Sequence, residues 1–131
     1  MKVEVEITST QKFEDHTEQE TNKCQGTITK HDKGQVLEFI EKYENQELKF
    51  KMTILENKVI ALRNGQTMIF DKSMPNKTTL NTIYGTLNMT ITTNKIDIVK
   101  ENENIQAIYL EYQIELENGM TYDNIVKIKI I

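Results

Sequence analysis

The chain has 131 residues, 37% of them hydrophobic, and its 20 acidic and 16 basic residues give a formal net charge of −4. Nucleic acids and anionic membranes attract proteins mainly through clustered Lys and Arg, so this acidic balance argues against both as partners. The length predicts a single domain covering residues 1–131, with enough chain to bury roughly two thirds of its unfolded surface.

The first ten residues, MKVEVEITST, alternate apolar and polar side chains from the second residue onward. This pattern predicts a β-strand and lacks the apolar segment of a signal peptide. No apolar run approaches the ~18 residues that a membrane-spanning helix requires. We therefore expect a cytoplasmic protein that does not associate with membranes.

The polar segment FEDHTEQETN at 13–22 is predicted to be a loop, as is FDKSMPNK at 70–77. Elsewhere period-two alternation prevails, and no window sustains the 3.6-residue apolar period of a helix. Rows of alternating apolar residues lie around 48–54, 108–116 and 126–130. The sequence therefore predicts an all-β protein with little or no helix.

Asn64-Gly65 predicts a sharp hairpin, because both residues tolerate the positive φ of a type I′ turn and Gly65 does so without strain. A two-residue loop there pairs Arg63 with Gln66 and Val59 with Phe70. Both faces of this hairpin are apolar, so one lines the core and the other is covered by a loop, a second layer or another subunit. The residues of that second face are Ile60, Leu62 and Ile69.

The Thr- and Asn-rich segment TTLNTIYG at 78–85 is interpreted as a corner that leads into the next strand, with Gly85 supplying a permissive backbone. Beyond it, apolar residues at 87–91 are odd-numbered and those at 96–98 are even-numbered. Both sets can face the core only if the strand contains a β-bulge. We place the bulge at 93–95, with Asn94 as its structural residue.

The strand after the bulge is expected to pair Ile98 with Ile108, which leaves a loop at 101–105. A second turn, at Asn118-Gly119, joins the last two strands. A two-residue turn there would break the apolar phase of the final strand. Either the loop has three residues or a second bulge lies near Asp123-Asn124.

These strands are long, since about twelve residues span roughly 40 Å, about twice the usual strand. Long strands bent by a bulge favour a closed barrel over a two-sheet sandwich. The predicted fold is a single antiparallel, meandering β-barrel of about 8–10 strands.

Three segments, GTITKHDKGQVLEF, KVIALRNGQTMIF and YGTLNMTI, followed by a long hairpin ending in IKI, resemble the YwiB-like family of uncharacterised bacterial proteins. The resemblance covers nearly the whole chain in order and with similar spacing. It implies a calycin-like (lipocalin-like) β-barrel and no established activity. The chain departs from the family pattern at Leu80 and Ile83. The features carried over are Gly26, Arg63, Gly65, Phe70 and the corner from Thr82 to Gly85.

Residue types that are typical of catalysis or metal binding occur singly. Cys24 is the only cysteine, and His16 and His31 lie in polar segments without the close spacing of a metal pair. Nucleotide-binding and nucleophile-elbow motifs are absent from the sequence. We expect no enzyme activity, no metal and no cofactor, although two carboxylates could still meet across strands as in glycosidases.

Arg63 shares a face with Val59 and Phe70, which places its guanidinium inside one end of the barrel if that face lines the core. A buried Arg needs hydrogen bonds or an aromatic partner. Arg63 therefore either closes the barrel end against carbonyls or a ring such as Tyr84, or anchors a ligand carboxylate or phosphate. If the other face lines the core, Arg63 faces water.

Tyr112 stands in the apolar row 108–116, so its hydroxyl needs a partner or an opening to water. It is either a core tyrosine that reaches the rim or a hydrogen-bond donor to a bound ligand. Arg63, Tyr84 and Tyr112 are the candidate ligand-binding residues near the barrel mouth.

Two functions are compatible with these features. The first is binding of a small apolar or amphipathic molecule, by analogy with calycins; the interior could be hollow or filled, and the sequence leaves both open. The second is a non-catalytic interaction protein that forms a homodimer through the apolar outer face of the 58–70 hairpin.

Overall fold

The computed structural model describes residues 1–43 and 45–131, apart from the side chain of Tyr43. Ten strands account for most of these residues, and no helix occurs among them. The strands are β1 (Lys2–Lys12), β2 (Thr17–His31), β3 (Gly34–Tyr43), β4 (Gln46–Leu55), β5 (Lys58–Arg63), β6 (Gln66–Asp71), β7 (Asn76–Thr82), β8 (Gly85–Glu101), β9 (Asn104–Leu116) and β10 (Thr121–Ile130). The predicted all-β class is confirmed.

The strands form one antiparallel sheet in the order β6-β5-β4-β3-β2-β1-β10-β9-β8-β7. Each strand pairs with the next strand in sequence, except that β6 does not pair with β7. The first and last strands, β1 and β10, also pair, so the sheet is continuous across the chain ends. The sheet curls until β6 approaches β7 and β8. The predicted meandering barrel is thus confirmed as a nearly closed, ten-stranded barrel.

The seam between β6 and β7 is bridged by side chains rather than by a backbone ladder. This pairing matters because unpaired edge strands invite association with other chains. The seam hydrogen bonds run from Gln66 Nε2 to the Thr79 carbonyl, from Thr78 Oγ1 to the Thr67 carbonyl at 3.2 Å, and from the Ile69 amide to Asn76 Oδ1 at 3.1 Å. The Thr and Asn content of β7 therefore serves to close the barrel.

The β5–β6 hairpin has the predicted register, with Arg63 opposite Gln66 and Val59 opposite Phe70. Gly65 has a φ of 84°, in the left-handed region that a type I′ turn requires. Val59 and Phe70 are buried. This hairpin therefore turns the face of Arg63 towards the interior, and the alternative in which Arg63 points outward is wrong.

The bulge predicted in β8 is confirmed: the ladder with β9 shifts between Thr93 and Lys95, leaving Asn94 as the extra residue. Ile98 pairs with Ile108 as expected. The predicted loop at 101–105 is wrong, because both strands continue to a two-residue turn at 102–103 whose residues have positive φ. A further register shift after Val99 accommodates the extra length on β9.

Two other predicted loops are too long. Most of 13–22 belongs to β2, which begins at Thr17 opposite Lys12, so the turn is confined to 13–16. The first part of β2 was not predicted because it is polar on both faces and so lacks the alternation of apolar and polar residues. One face is exposed, and the other lines the open part of the barrel. Likewise, 70–77 includes the end of β6 and the start of β7.

The segment 78–85 is a strand and a hairpin turn rather than a corner. Thr82 pairs with Gly85, and its hydroxyl donates to the Gly85 carbonyl at 2.8 Å and accepts from the Tyr84 amide at 3.1 Å. Gly85 has a φ of 122°, which agrees with its predicted permissive role.

The final hairpin has a three-residue loop at 117–119. The Leu116 amide donates to the Met120 carbonyl at 2.9 Å, and Thr121 pairs with Glu115. The second of the two sequence alternatives, a bulge near Asp123-Asn124, is therefore wrong, and the β9–β10 ladder is regular.

The two ends of the barrel differ in their packing. The closed end carries the turns at 32–33, 56–57 and 102–103. There Gln35 Nε2 of β3 donates to the carbonyl of Glu103, in the turn between β8 and β9, at 2.9 Å. The mouth end carries the turns at 13–16, 64–65 and 117–119. Fully buried side chains such as Leu37, Val59 and Ile108 fill the interior towards the closed end.

Candidate functional site

A cavity of about 540 Å³ lies inside the barrel towards the mouth end. Small-molecule sites in proteins commonly have volumes of about 300–1,000 Å³. Much of its wall is apolar and includes Phe39, Phe50, Met52, Met68, Phe70 and Leu110. The sequence left open whether the interior is hollow or filled. In the structure it is partly hollow.

The rim of the cavity is polar and carries more carboxylates than cations. Glu18 and Glu20 lie on β2, Glu41 on β3 and Arg63 on β5. Glu41 is buried, whereas the other three side chains are exposed. The combination of an apolar wall and a charged rim suits an amphipathic molecule.

Arg63 lies at this rim, with Cζ 5.5 Å from the centroid of the Phe50 ring. Phe50 in turn stacks on Phe39, the two centroids being 4.9 Å apart. The aromatic partner of the guanidinium is thus Phe50 rather than Tyr84. The guanidinium itself lies over the Phe50 ring while the Arg63 side chain remains exposed, so Arg63 gains an aromatic partner without the cost of full burial.

Tyr112 lines the same cavity from β9 and is 8% exposed. Its ring packs against Phe70, with a centroid separation of 4.6 Å. Burial raises the pKa of the Tyr112 phenol and nearby Tyr122 raises it further, while the charge of Arg63 lowers it. The phenol therefore stays protonated and retains a hydrogen to donate.

Tyr84 does not belong to this cavity. It is 94% exposed at the tip of the β7–β8 hairpin, next to Ile83. The structure thus brings Arg63 and Tyr112 together and leaves Tyr84 apart from them.

A row of polar side chains crosses the barrel wall at the level of Tyr112, one from each of five adjacent strands. Residues that are directly opposite in an antiparallel ladder point to the same face, so the row faces inward. We call it the polar belt, and its members in strand order are Thr93, Tyr112, Asn124, Gln11 and Glu18. Four of them, all except Thr93, line the cavity.

Two members of the polar belt each have one buried side-chain atom without a hydrogen-bond partner among the residues that the structure describes. Asn124 is 4% exposed and its Nδ2 is unpaired, and Thr93 is 6% exposed and its Oγ1 is unpaired. Leaving a buried polar group unpaired costs about 1–3 kcal/mol. The orphaned Asn124 donor lies in the cavity wall, where a bound molecule could reach it.

Sequence reasoning missed the polar belt, although its signal is present. Asn124 has the same phase as Val126 and Ile128, and Thr93 has the same phase as Met89 and Ile91. Each is a polar residue at a core position. Asn124 was not assigned to the inner face because the sequence left two alternatives for the last hairpin. In one of them, a bulge near Asn124 would have moved its side chain to the other face.

The turn at 13–16 forms a small aromatic cluster beside the mouth. Phe13 stacks on His16 and on Tyr122, with centroid separations of 4.6 Å and 5.2 Å. His16 Nδ1 donates a hydrogen bond to the Asp15 carboxylate, which raises the pKa of His16, and Glu18 Oε1 lies 3.4 Å from its Nε2. The contacts of His16 thus stabilise the turn.

Cys24 lies on β2 opposite Val5 and is half-buried. Burial, assisted by the charge of Glu41, raises the pKa of the Cys24 thiol to about 11. A nucleophilic cysteine needs a lowered pKa, so this environment is typical of an inert thiol. Within residues 1–43 and 45–131, His, Cys, Asp and Glu side chains do not form a group that could hold a metal ion.

The outer face of the β5–β6 hairpin is partly covered. Ile60 and Ile69 are half-buried, and Leu62 is 39% exposed. The homodimer that the sequence analysis predicted on this face stays a prediction.

The described part of the chain contains no helix with the length and hydropathy needed to cross a membrane.

Comparison with known proteins agrees with this architecture. The crystal structure of the ywiB protein from Bacillus subtilis superposes with a TM-score of 0.75 at 12% sequence identity, covering 99% of this chain and 92% of that one. At this identity the likeness shows a shared fold. No curated protein shows significant similarity to the chain.

The sequence itself matches the family described as a domain of unknown function, DUF1934, over residues 5–128. This match extends from β1 to β10 and so includes every strand that lines the cavity. Together with the shared fold, it confirms the resemblance to the YwiB-like family. The chain belongs to the DUF1934 family.

Proposed function

We propose that this protein binds a small amphipathic molecule in the cavity at the mouth end of its barrel. The observation that carries the proposal is a cavity of about 540 Å³ with an apolar wall and a polar rim. If this part of the interior served only to stabilise the fold, we would expect side chains to fill it. An unfilled volume in a core loses van der Waals contacts and lowers the stability of the protein. Selection for stability alone therefore does not explain the cavity.

The position of the cavity supports the same conclusion. Barrels of this size often hold one small ligand at the open end. The calycin-like architecture that the sequence resemblance implied would place a ligand in the same part of the barrel. Arg63 and Tyr112 contact the cavity from opposite parts of the sheet and would meet the polar part of the ligand.

Binding is tested with N-phenyl-1-naphthylamine, a neutral apolar dye whose fluorescence rises in apolar surroundings. We expect saturable binding to the native protein and displacement by small amphipathic competitors. Ala61→Phe introduces a ring into the cavity wall and should weaken binding at least tenfold. Ile60→Phe adds a ring to the outer face of the same strand and should leave it unchanged. Equal binding by the native protein and the Ala61→Phe variant would refute the proposal.

Native mass spectrometry of protein purified from its own host complements the dye. The expected spectrum contains a bound mass in addition to the 15.3 kDa chain. The same spectrum reports the number of subunits and so tests the homodimer alternative. A dimer that Leu62→Lys dissociates would favour that second function.

We further propose that the protein acts without catalysis and in the cytoplasm. The raised pKa of Cys24 and the structural role of His16 support a non-catalytic role. The bacterial setting of the family supports the location. Fractionation of the native host and an assay for turnover of any co-purified ligand would test these two points.

A further inference from the structure

We propose that the ligand carries an uncharged hydrogen-bond acceptor, such as a ketone, amide or ester carbonyl, which accepts from Asn124 Nδ2 at the polar belt. This inference rests on the proposed function and adds the chemical class of the ligand. It depends on an observation independent of cavity size, namely an orphaned donor in the cavity wall.

Asn124 occupies a position where an apolar residue would be expected. It lies on β10 between Gln11 of β1 and Tyr112 of β9, and it is 4% exposed. Val126 and Ile128, the next inward residues of β10, are apolar. Isoleucine or leucine at position 124 would avoid burying an amide without a partner. A ligand acceptor would supply the missing partner.

The neighbouring side chain also favours an acceptor. Tyr112 pairs directly with Asn124 on the inner face and keeps its hydroxyl hydrogen. An amide N–H and a phenol O–H side by side match the two lone pairs of a carbonyl oxygen. The ring of Phe70 packs against Tyr112, so the flanking surface suits an apolar body attached to that carbonyl.

The charges at the rim oppose an anionic group at this position. The lining residues include three glutamates, Glu18, Glu20 and Glu41, and one arginine, Arg63. Glu18 is itself a member of the polar belt, two strands from Asn124. A ligand carboxylate beside Asn124 would meet like charge in a poorly solvated site, whereas a neutral carbonyl would not.

The test uses 2-acetylnaphthalene and 2-isopropenylnaphthalene, which share one shape and differ in a carbonyl oxygen against a methylene group. The native protein should prefer the acetyl compound, after correction for the difference in transfer from water. In Asn124→Leu that preference should fall about tenfold, the ratio that corresponds to about 1.4 kcal/mol. The isopropenyl compound should bind the variant at least as tightly as it binds the native protein.

Gln113→Leu is the matched control, because it removes an exposed amide from the outer face of β9 beside Tyr112. It should retain the native preference. In the native protein, the side-chain amide resonance of Asn124 should shift with the acetyl compound and much less with the isopropenyl one. This spectroscopic readout needs no substitution and is unaffected if a variant folds poorly.

The outcomes separate the two proposals. If both compounds bind and Asn124→Leu keeps the native preference, the assignment of the acceptor is overturned while cavity binding stands. If neither compound binds the native protein and the dye does not bind either, the proposed function falls and this inference falls with it.

Discussion

The closed end and the mouth end of this barrel are built from the same ten strands but are packed to different degrees. Towards the closed end, side chains such as Leu37 and Ile108 are almost completely buried and Gln35 hydrogen-bonds across the interior. Towards the mouth, the same strands enclose a cavity and carry the polar belt. The closed end therefore contributes most of the packing, and the mouth end is the part of the barrel in which we propose that a ligand binds.

The largest expected contrast between the ends concerns stability. Leu37→Ala should destabilise the protein by about 3 kcal/mol, because it leaves a new cavity in a filled core. Met68→Ala enlarges a cavity that already exists and should cost only about 1 kcal/mol. Urea unfolding of both variants measures the difference. Equal losses would show that the cavity end is packed as tightly as the closed end.

The seam between β6 and β7 offers the next effect. Asn76→Ala removes the acceptor of the Ile69 amide and should cost about 1 kcal/mol, with faster hydrogen exchange at that amide. Asn81→Ala, on the exposed part of the same strand, is the control and should leave the Ile69 amide protected. Unchanged exchange in the Asn76 variant would mean that the seam does not depend on this side chain.

The orphaned hydroxyl of Thr93 predicts a smaller effect of opposite sign. Thr93→Val replaces an unpaired buried hydroxyl by a methyl group and should stabilise the free protein by about 0.5–1 kcal/mol. Thr92→Val makes the same change on the exposed outer face and should have almost no effect. A loss of stability in the Thr93 variant would show that its hydroxyl has a partner in solution.

The smallest effect is a dependence on alkaline pH at Cys24. Its pKa is raised from the ordinary 9.0 to about 11, so the folded protein holds the proton more strongly than the unfolded chain. The resulting contribution is complete below pH 9 and is lost as the pH rises towards about 11. Thiol titration with a disulfide reagent should show slow reaction at pH 8, and Cys24→Ser should reduce the alkaline loss of stability. Fast reaction at pH 8 would contradict the raised pKa.

Local sequence chemistry predicted much of the fold. Asn64-Gly65 defined one hairpin, and the change from odd to even core residues located the bulge at Asn94, because both signals lie within a few residues of the features they specify. The start of β2 at Thr17 was missed because the strand is polar on both faces. Without an alternation of apolar residues at 17–22, the sequence gives no phase from which its pairing with β1 could be read.

The candidate site was predicted less completely. Tyr112 lies on the inner face, as the phase of its apolar neighbours predicted, whereas the sequence left open which face of the 58–70 hairpin, and hence of Arg63, is the inner one. Tyr84 was grouped with them because 78–85 was interpreted as a corner near the barrel mouth, whereas this segment is most of β7 and a hairpin turn with Tyr84 at its tip. The polar belt depends on the combined register of five strands, so no single segment of sequence reveals it.

Methionine methyl resonances test the central claim most directly, because the six methionines sample both kinds of environment. Met52 and Met68 line the cavity, Met89 is buried elsewhere, and Met1, Met74 and Met120 are exposed. In protein labelled with ¹³C-methyl methionine, addition of N-phenyl-1-naphthylamine should shift Met52 and Met68 and leave the other four in place. Shifts confined to exposed methionines, or no shifts at saturating dye, would contradict a ligand site inside the mouth end of the barrel.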